Sequence, residues 1–282
     1  MKHERSVLIT GCSSGIGLCT AQGLKNRGYR VFATARKLQD VDRLQSEGLE
    51  SLQLDLVDSV SIQNTIDEIL VRTNGKLYGL FNNGGFGQPG AVEDLPRDIL
   101  RAQFEVNFFG WHEMVCRVLP AMHHQGFGRI IQNSSLLGLV SLAYRGAYNS
   151  SKYALEGLTD TLRLELQGTD IYVSLIEPGP IESRFRTNAY AAFNRNIDRL
   201  NSRHSDNYTA MEKRFTTEGS SAPFTLPPDA VLKAVIHALE NPVPKNHYYV
   251  TFPTYFFGML KRLLPSRMLD RFLLYVSENE RK

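Results

Sequence analysis

Short apolar runs recur along the chain at residues 6–10, 29–35, 49–54, 77–81, 129–133, 171–176 and 248–252, each bounded by glycine, proline or polar turn residues. Runs of this length read as buried strands. The stretches between them carry apolar positions at helical spacing, over 18–26, 60–73, 96–124 and 147–167. Asp58-Ser59 supplies an N-cap for the second of these, and Pro96 starts the third. Strand and helix in alternation build a parallel sheet covered on both faces. The pattern therefore predicts one α/β domain, doubly wound around seven strands, with no internal repeat. Ligands of such sheets sit beyond the carboxyl ends of the strands. Gly11, Arg36, Asp55, Asn82, Ser135 and Pro178 all follow predicted strand ends and so share one edge.

Two groups on that edge carry chemistry. The turn after the first strand reads Gly11-Cys12-Ser13-Ser14-Gly15-Ile16-Gly17. Gly11 permits a tight turn, Gly15 lets the backbone approach a pyrophosphate, and Gly17 allows close helix packing, with free N–H groups at the helix start facing the anion. A glycine-rich turn alone also serves as a plain structural turn. The second group is Tyr148 and Lys152, four residues apart and therefore on one helix face. A neighbouring ammonium favours the phenolate and brings an acid with a free pKa of about 10 closer to neutrality, which suits proton exchange with a carbonyl or alcohol oxygen. Ser135 can hold the same oxygen. An isolated Tyr-x-x-x-Lys equally fits an ordinary helix surface.

Taken together, TGCSSGIG at 10–17, NNGG at 82–85, Asn107 in VNFFG, Ser135, YNSSK at 148–152 and Pro178-Gly179 in EPGP resemble the short-chain dehydrogenase/reductase family in order and spacing, over about residues 6–183. Within it the chain resembles bacterial NADP-dependent aldehyde reductases and the members similar to retinol and 17β-hydroxysteroid dehydrogenases. Gly84 departs from the family's usual alanine, and the missing methyl is expected to loosen that strand end without removing chemistry. The resemblance implies a Rossmann-type fold and a catalytic set of Asn107, Ser135, Tyr148 and Lys152. Tyr148 would give the proton, Lys152 would lower the phenol's pKa and bond the nicotinamide ribose, Ser135 would bond the substrate oxygen, and Asn107 would hold a water chain. It further implies that Ser13, Ser14, Gly15 and Ile16 border the phosphates, that Asp55 meets the adenine and Asn82 the adenosine ribose, and that Pro178, Gly179, Ile181 and Ser183 cover the nicotinamide. Ser183 replaces the usual threonine and keeps its hydroxyl. Two competing readings stay open: Asp55 as a helix cap, and Asn107 as an asparagine satisfying backbone groups at a helix kink. Homodimers or homotetramers through the helices carrying Asn107 and Tyr148 are the implied assemblies.

Arg36 and Lys37 stand after the second strand, where a carboxylate would select NAD by bonding the ribose 2′-hydroxyl. They point to NADP (NADPH), unless they are solvated loop charges. The substrate is expected to be an aldehyde or ketone on a lipophilic body, because Phe86, Leu136, Leu137, Val140 and Phe185 fall near the site. Aromatic residues in loops also serve local packing. Residues 180–228 show no simple periodicity and read as a mobile lid over the substrate. The segment 254–277 mixes Phe, Leu and Met with Lys261, Arg262, Arg267 and Arg271 around Pro265. It reads as two short amphipathic helices, either touching an anionic membrane surface or packing over the cleft or a subunit interface. An NAD-linked dehydrogenase working oxidatively and a catalytically silent NADP-sensing protein remain the alternative functions.

Composition narrows the field. At 282 residues, 42% hydrophobic and 22% charged, the chain can bury one large core. A formal charge of +3 without blocks of like charge gives a nucleic-acid partner no support. Cys12, Cys19 and Cys116 have neither pairing nor CxxC spacing and read as small buried hydrophobes in a reducing compartment. His112-Glu113 begins a zinc motif, but Cys116 replaces its second histidine, so no metal is expected. The N-terminal apolar run is too short for a secretory leader, and cytoplasmic location is the expectation. The sequons at Asn133, Asn149 and Asn207 are accidental, two of them overlapping the catalytic motifs.

Overall fold

In the computed structural model, which describes residues 5–216 and 222–279, seven strands form one sheet: β1 (Ser6–Ile9), β2 (Arg30–Ala35), β3 (Glu50–Gln53), β4 (Gly79–Asn82), β5 (Gly128–Asn133), β6 (Ile171–Glu177) and β7 (His247–Tyr249). Their order is β3-β2-β1-β4-β5-β6-β7 and every pairing is parallel. This is the expected doubly wound sheet. The order reverses between β1 and β4, so the chain leaves these neighbours in opposite directions and a crevice opens above their carboxyl ends.

Helices fill both faces because the strands are apolar on both sides. On one face α1 (Gly15–Asn26), α2 (Leu38–Ser46) and α9 (Asp229–Glu240) bury Leu24, Leu44, Val231 and Val235 against Val7, Ile9 and Val31. On the other, α3 (Ser59–Arg72), α5 (Gly110–Gln125) and α6 (Gly146–Glu165) bury Ile62, Ile66, Trp111, Val118 and Leu155 against Leu8, Leu80 and Ile130. Asp58 caps α3, its carboxylate accepting from Val60 N at 2.9 Å. The helix read over 96–124 is interrupted. After α4 (Arg97–Phe104) comes a π-helical turn, Glu105–Phe109, before α5 begins.

Three sequence expectations need correction. The last strand ends at Tyr249, because Pro253 pre-sets a helix start and Phe252 already belongs to α10 (Phe252–Leu263), which is followed after Leu264 and Pro265 by α11 (Ser266–Asn279). The lid segment is not irregular within the described residues. It forms α7 (Phe185–Asn196) and α8 (Ser205–Thr216), which enclose a small core of Phe193, Ile197, Tyr208 and Met211 against Ala91. The Tyr208 hydroxyl donates to Asp94 and accepts from Ala91 N, tying α8 to the loop after β4. Of the cysteines, Cys12 alone is buried and Cys116 is exposed.

Gly110 packs so closely that a Cβ there would lie 2.2 Å from the Leu56 carbonyl oxygen, whereas one on Gly157, mid-helix in α6, would meet nothing within 4 Å. Gly110→Ala is expected to lose about 1–3 kcal/mol through forced backbone movement. Gly157→Ala is expected to gain about 0.5–1 kcal/mol from reduced chain entropy. Urea unfolding of the two variants checks the pair.

Candidate active site

The glycine loop is built by backbone contact. Gly11 has φ of +73° and Gly15 of +58°, the left-handed region open to glycine. A Cβ on Gly17 would lie 2.2 Å from Gly11 O, and one on Gly11 would lie 2.5 Å from Gly84 Cα. Thr10 Oγ1 accepts from Asn83 N at 2.8 Å and Gly84 N at 2.9 Å. The strand end that Gly84 was expected to loosen is therefore pinned, its Cα seated on the Gly11 turn. Ser14 at the N-cap of α1 is extended and makes no side-chain cap, leaving the first-turn N–H groups facing the crevice. Across the crevice a Cβ on Gly15 would approach Ser183 Cβ at 3.0 Å, so the segment running from Pro178 and Gly179 through Ile181 to Ser183 overhangs the loop that also carries Ser13 and Ile16. Leu136 N donates to Pro178 O at 2.8 Å, which fixes this segment beside Ser135.

Arg36 and Lys37 project from the end of β2 with exposed side chains that make no hydrogen bond or ion pair among the described residues. Asp55 lies half-buried after β3, with Oδ1 accepting from Val57 N at 3.2 Å. It closes its own turn, while Asp58 caps the helix. Asn82 must be corrected. Its side chain is fully buried and donates to Trp111 O at 3.2 Å and to Gln132 Oε1 at 3.0 Å, so it cannot reach a ribose. Its neighbour Asn83 faces the glycine loop instead, donating to Thr10 O at 3.0 Å and Gly11 O at 3.2 Å.

Tyr148 and Lys152 rise from α6 beneath the loop after β5. Ser135 starts that loop, accepts from Leu137 N at 3.1 Å, and lies close enough to the Tyr148 hydroxyl to influence its ionisation. Lys152 is buried, with Nζ donating to Asn133 O at 2.7 Å and lying 4.0 Å from the centre of the Trp111 ring. The phenol was expected to be made more acidic by the amine. Burial instead pushes Tyr148 up to about 12, with the nearby Ser135 side chain acting in the opposite direction. The same burial pushes Lys152 down to about 7, partly offset by the charge of Glu156. Desolvation of both groups outweighs their mutual influence because the amine turns toward a carbonyl, 5.7 Å from the centre of the Tyr148 ring.

Asn107 satisfies backbone groups at a break in the helix, the second of its two readings. In the π turn its Oδ1 accepts from Phe86 N at 3.1 Å and its Nδ2 donates to Phe86 O at 2.8 Å, so the carboxamide holds a backbone segment. Gln103 and Trp111 act alongside it. Gln103 accepts from Gln88 N at 2.7 Å and donates to Phe86 O at 2.8 Å, and Trp111 Nε1 donates to Gly84 O at 2.8 Å. Three side chains four residues apart thus clamp residues 84–88. That segment borders the substrate side, where Phe185 sits edge-on to Tyr148 at 5.3 Å and would block a Cβ on Gly87 at 2.7 Å. Phe86 and Leu137 are part-buried nearby.

Behind the site lies a charged group that no motif announces. Glu156 accepts from Ser134 Oγ, and Glu177 accepts from Tyr248 N at 3.0 Å and pairs with His247 Nδ1 at 2.6 Å. Ligating atoms of Glu156, Glu177 and His247 all lie within 4.8 Å of one another. Burial and the charge of Glu177 push Glu156 up to about 7, while its hydrogen bond to Glu177 raises His247. Ser134 links this group to the catalytic loop.

The comparisons agree with the geometry. The family described as short chain dehydrogenase matches residues 5–193. An uncharacterized oxidoreductase, YbbO, of Escherichia coli strain K12 is 45% identical over 96% of this chain and 94% of its own. Human 17-beta-hydroxysteroid dehydrogenase type 1 is 33% identical over 87% of this chain and 77% of its own. A solved short-chain dehydrogenase from Streptomyces avermitilis, 25% identical, superposes with a TM-score of 0.77 over 99% of this chain and 97% of that one. With its parallel sheet, glycine turn and Ser135, Tyr148 and Lys152 in one pocket, the chain belongs to the short-chain dehydrogenase/reductase family, as an oxidoreductase acting on carbonyl or alcohol groups with a nicotinamide cofactor.

Proposed function

We propose that this protein is an NADPH-dependent reductase of aldehydes or ketones carried on a lipophilic body. The observation behind this reading is Tyr148 with Ser135 beside it and the ring of Phe185 edge-on to it at 5.3 Å, on the helix that also carries the buried amine of Lys152. A proton donor and a second hydroxyl converge there on one point, walled by apolar side chains. Such a point suits a carbonyl oxygen attached to a non-polar substrate. The similarity to an enzyme named for steroids supports the lipophilic class.

The chain fits the dinucleotide, because the Gly11, Gly15 and Gly17 turn is drawn tight by contacts that no Cβ could make, Gly11 and Gly15 at positive φ, and because the α1 N-terminus is uncapped. The phosphates would rest on residues 13–17, Asp55 and Asn83 would border the adenosine, Arg36 and Lys37 would hold the 2′-phosphate, and the 178–183 segment would cover the nicotinamide. When bound, the cofactor supplies hydride. The remaining steps belong to the protein. Ser135 donates to the substrate oxygen as negative charge grows on it, and Tyr148 transfers its phenolic proton to that oxygen. Lys152 beneath them holds positive charge in the pocket, stabilises the phenolate left behind, and is itself sustained by Glu156 four residues further along the same helix.

A phenol held up at about 12 keeps its proton at neutral pH, the form that reduction requires. The sign is fixed: oxidation, which needs the phenolate, gains rate as pH climbs toward that value, while reduction, which uses the Lys152 charge, loses rate as pH rises through about 7.

Tyr148→Phe removes the proton and is expected to lower kcat for NADPH-linked reduction by about 10²–10⁴-fold, with folding intact. Steady-state assays on retinoid, steroid and long-chain carbonyls test this together with the substrate class, and turnover of polar carbonyls alone would defeat the lipophilic assignment. Arg36→Ala with Lys37→Ala is expected to raise KM for NADPH about tenfold or more while leaving KM for NADH unchanged, since charge-assisted bonds to a phosphate are worth roughly 1.5–3 kcal/mol. Glu156→Gln keeps an acceptor for Ser134 but removes the charge that supports Lys152. Its activity is expected to fall at neutral pH and to recover as pH is lowered, as read from a kcat profile against pH.

A further inference from the structure

Seven of the twenty large apolar side chains left exposed on the described surface fall within the 24 residues from Phe252 to Tyr275. Their spacing is ordered. Phe252, Tyr255, Met259 and Leu263 are 50–70% exposed and recur every three or four positions, so they form one stripe along the outer face of α10. Phe224, also exposed, extends it through a ring contact with Phe252 at 5.1 Å. On α11, Met268, Leu274 and Tyr275 share an exposed face with Arg271. The inner faces are satisfied: Phe257 and Leu273 pack on Leu136, Val140 and Leu142, the loop that begins at Ser135. The apolar stripe is therefore surplus to the fold, and it lies one helix thickness from the substrate loop.

Charge decides what covers it. Arg262, Arg267 and Arg271 are exposed and make no hydrogen bond or ion pair among the described residues. Lys261 is occupied, lying 4.6 Å from the centre of the Tyr153 ring. No acidic residue occurs on α10, and Asp270 and Glu278 are the acids of α11. A twofold contact between copies through this face would bring the same unneutralised arginines toward one another. An anionic surface that accepts apolar side chains meets neither difficulty.

We propose that α10 and α11 form a docking surface for an anionic lipid bilayer, with the apolar stripe of α10 seated among the acyl chains and Arg262, Arg267 and Arg271 at the headgroups. Neither helix is long and apolar enough to cross a membrane. The contact is interfacial, as for amphipathic helices with a basic polar face. It places the wall of the substrate cleft against the phase in which a lipophilic carbonyl dissolves. The docking itself does not depend on the catalytic assignment.

Cosedimentation with vesicles tests it without any turnover assay. The full chain is expected to bind vesicles of phosphatidylcholine with phosphatidylserine at low salt roughly a hundredfold more strongly than phosphatidylcholine alone, and to be released by high salt. The triple variant Arg262→Gln, Arg267→Gln, Arg271→Gln is expected to lose this preference. Phe252→Ser with Tyr255→Ser and Leu263→Ser is expected to lose binding to both vesicles, with circular dichroism and thermal unfolding confirming that each variant is folded. Absence of binding to the anionic vesicles, or equal binding to both kinds, overturns the proposal. So does a wild-type oligomer in light scattering that the serine variant dissociates, because the stripe would then be a contact between copies.

Discussion

The site depends on burying an amine. Lys152 is 3% exposed, and a buried ammonium costs heavily unless the protein supplies partners. It has three: the Asn133 carbonyl at the end of β5, the face of Trp111, and the charge of Glu156. Each comes from a different element, so strand β5, helix α5 and helix α6 must all be in place before the charge can be held. The desolvation that lowers Lys152 also raises Tyr148. The pocket thus keeps its proton on the oxygen that faces the substrate and makes its cation easy to discharge.

That cation sits next to a second buried set. Glu156, Glu177 and His247 bring two carboxylates and an imidazole to one point, with His247 also 3.7 Å from Asp160 at the protein's edge. Two carboxylates this close and this buried cannot both ionise freely, and the imidazole between them stabilises the charge that remains. Ser134 carries the influence of this set into the loop that holds Ser135. The chemistry of the front of the pocket therefore rests on shared protons at its back.

Much of the architecture was legible in the chain because it is written locally. Buried parallel strands are continuous apolar runs, and the glycine turn needs a left-handed backbone that few other residues supply. Tyr148 and Lys152 are legible because helical periodicity alone puts them together. Other features are written across the fold. Asn82 and Asn83 are adjacent amides, yet the pleat sends one into the core and the other toward the glycine loop. Glu156, Glu177 and His247 come from α6, β6 and β7, so no spacing joins them. The small core of α7 and α8 was hidden because Phe193, Tyr208 and Met211 are interleaved with arginines and asparagines that belong to the surface.

The π turn at Glu105–Phe109 has a geometric consequence. At 3.6 residues per turn, side chains four apart creep about 40° round an α-helix, so Gln103, Asn107 and Trp111 would fan out over about 80°. A wider turn in their midst takes in more residues per revolution and winds that creep back. Three amino acids can then grip a single extended stretch like rungs on one rail, which a uniform helix of the same sequence could not arrange. The irregularity in the helix is what makes the neighbouring irregular loop regular in position.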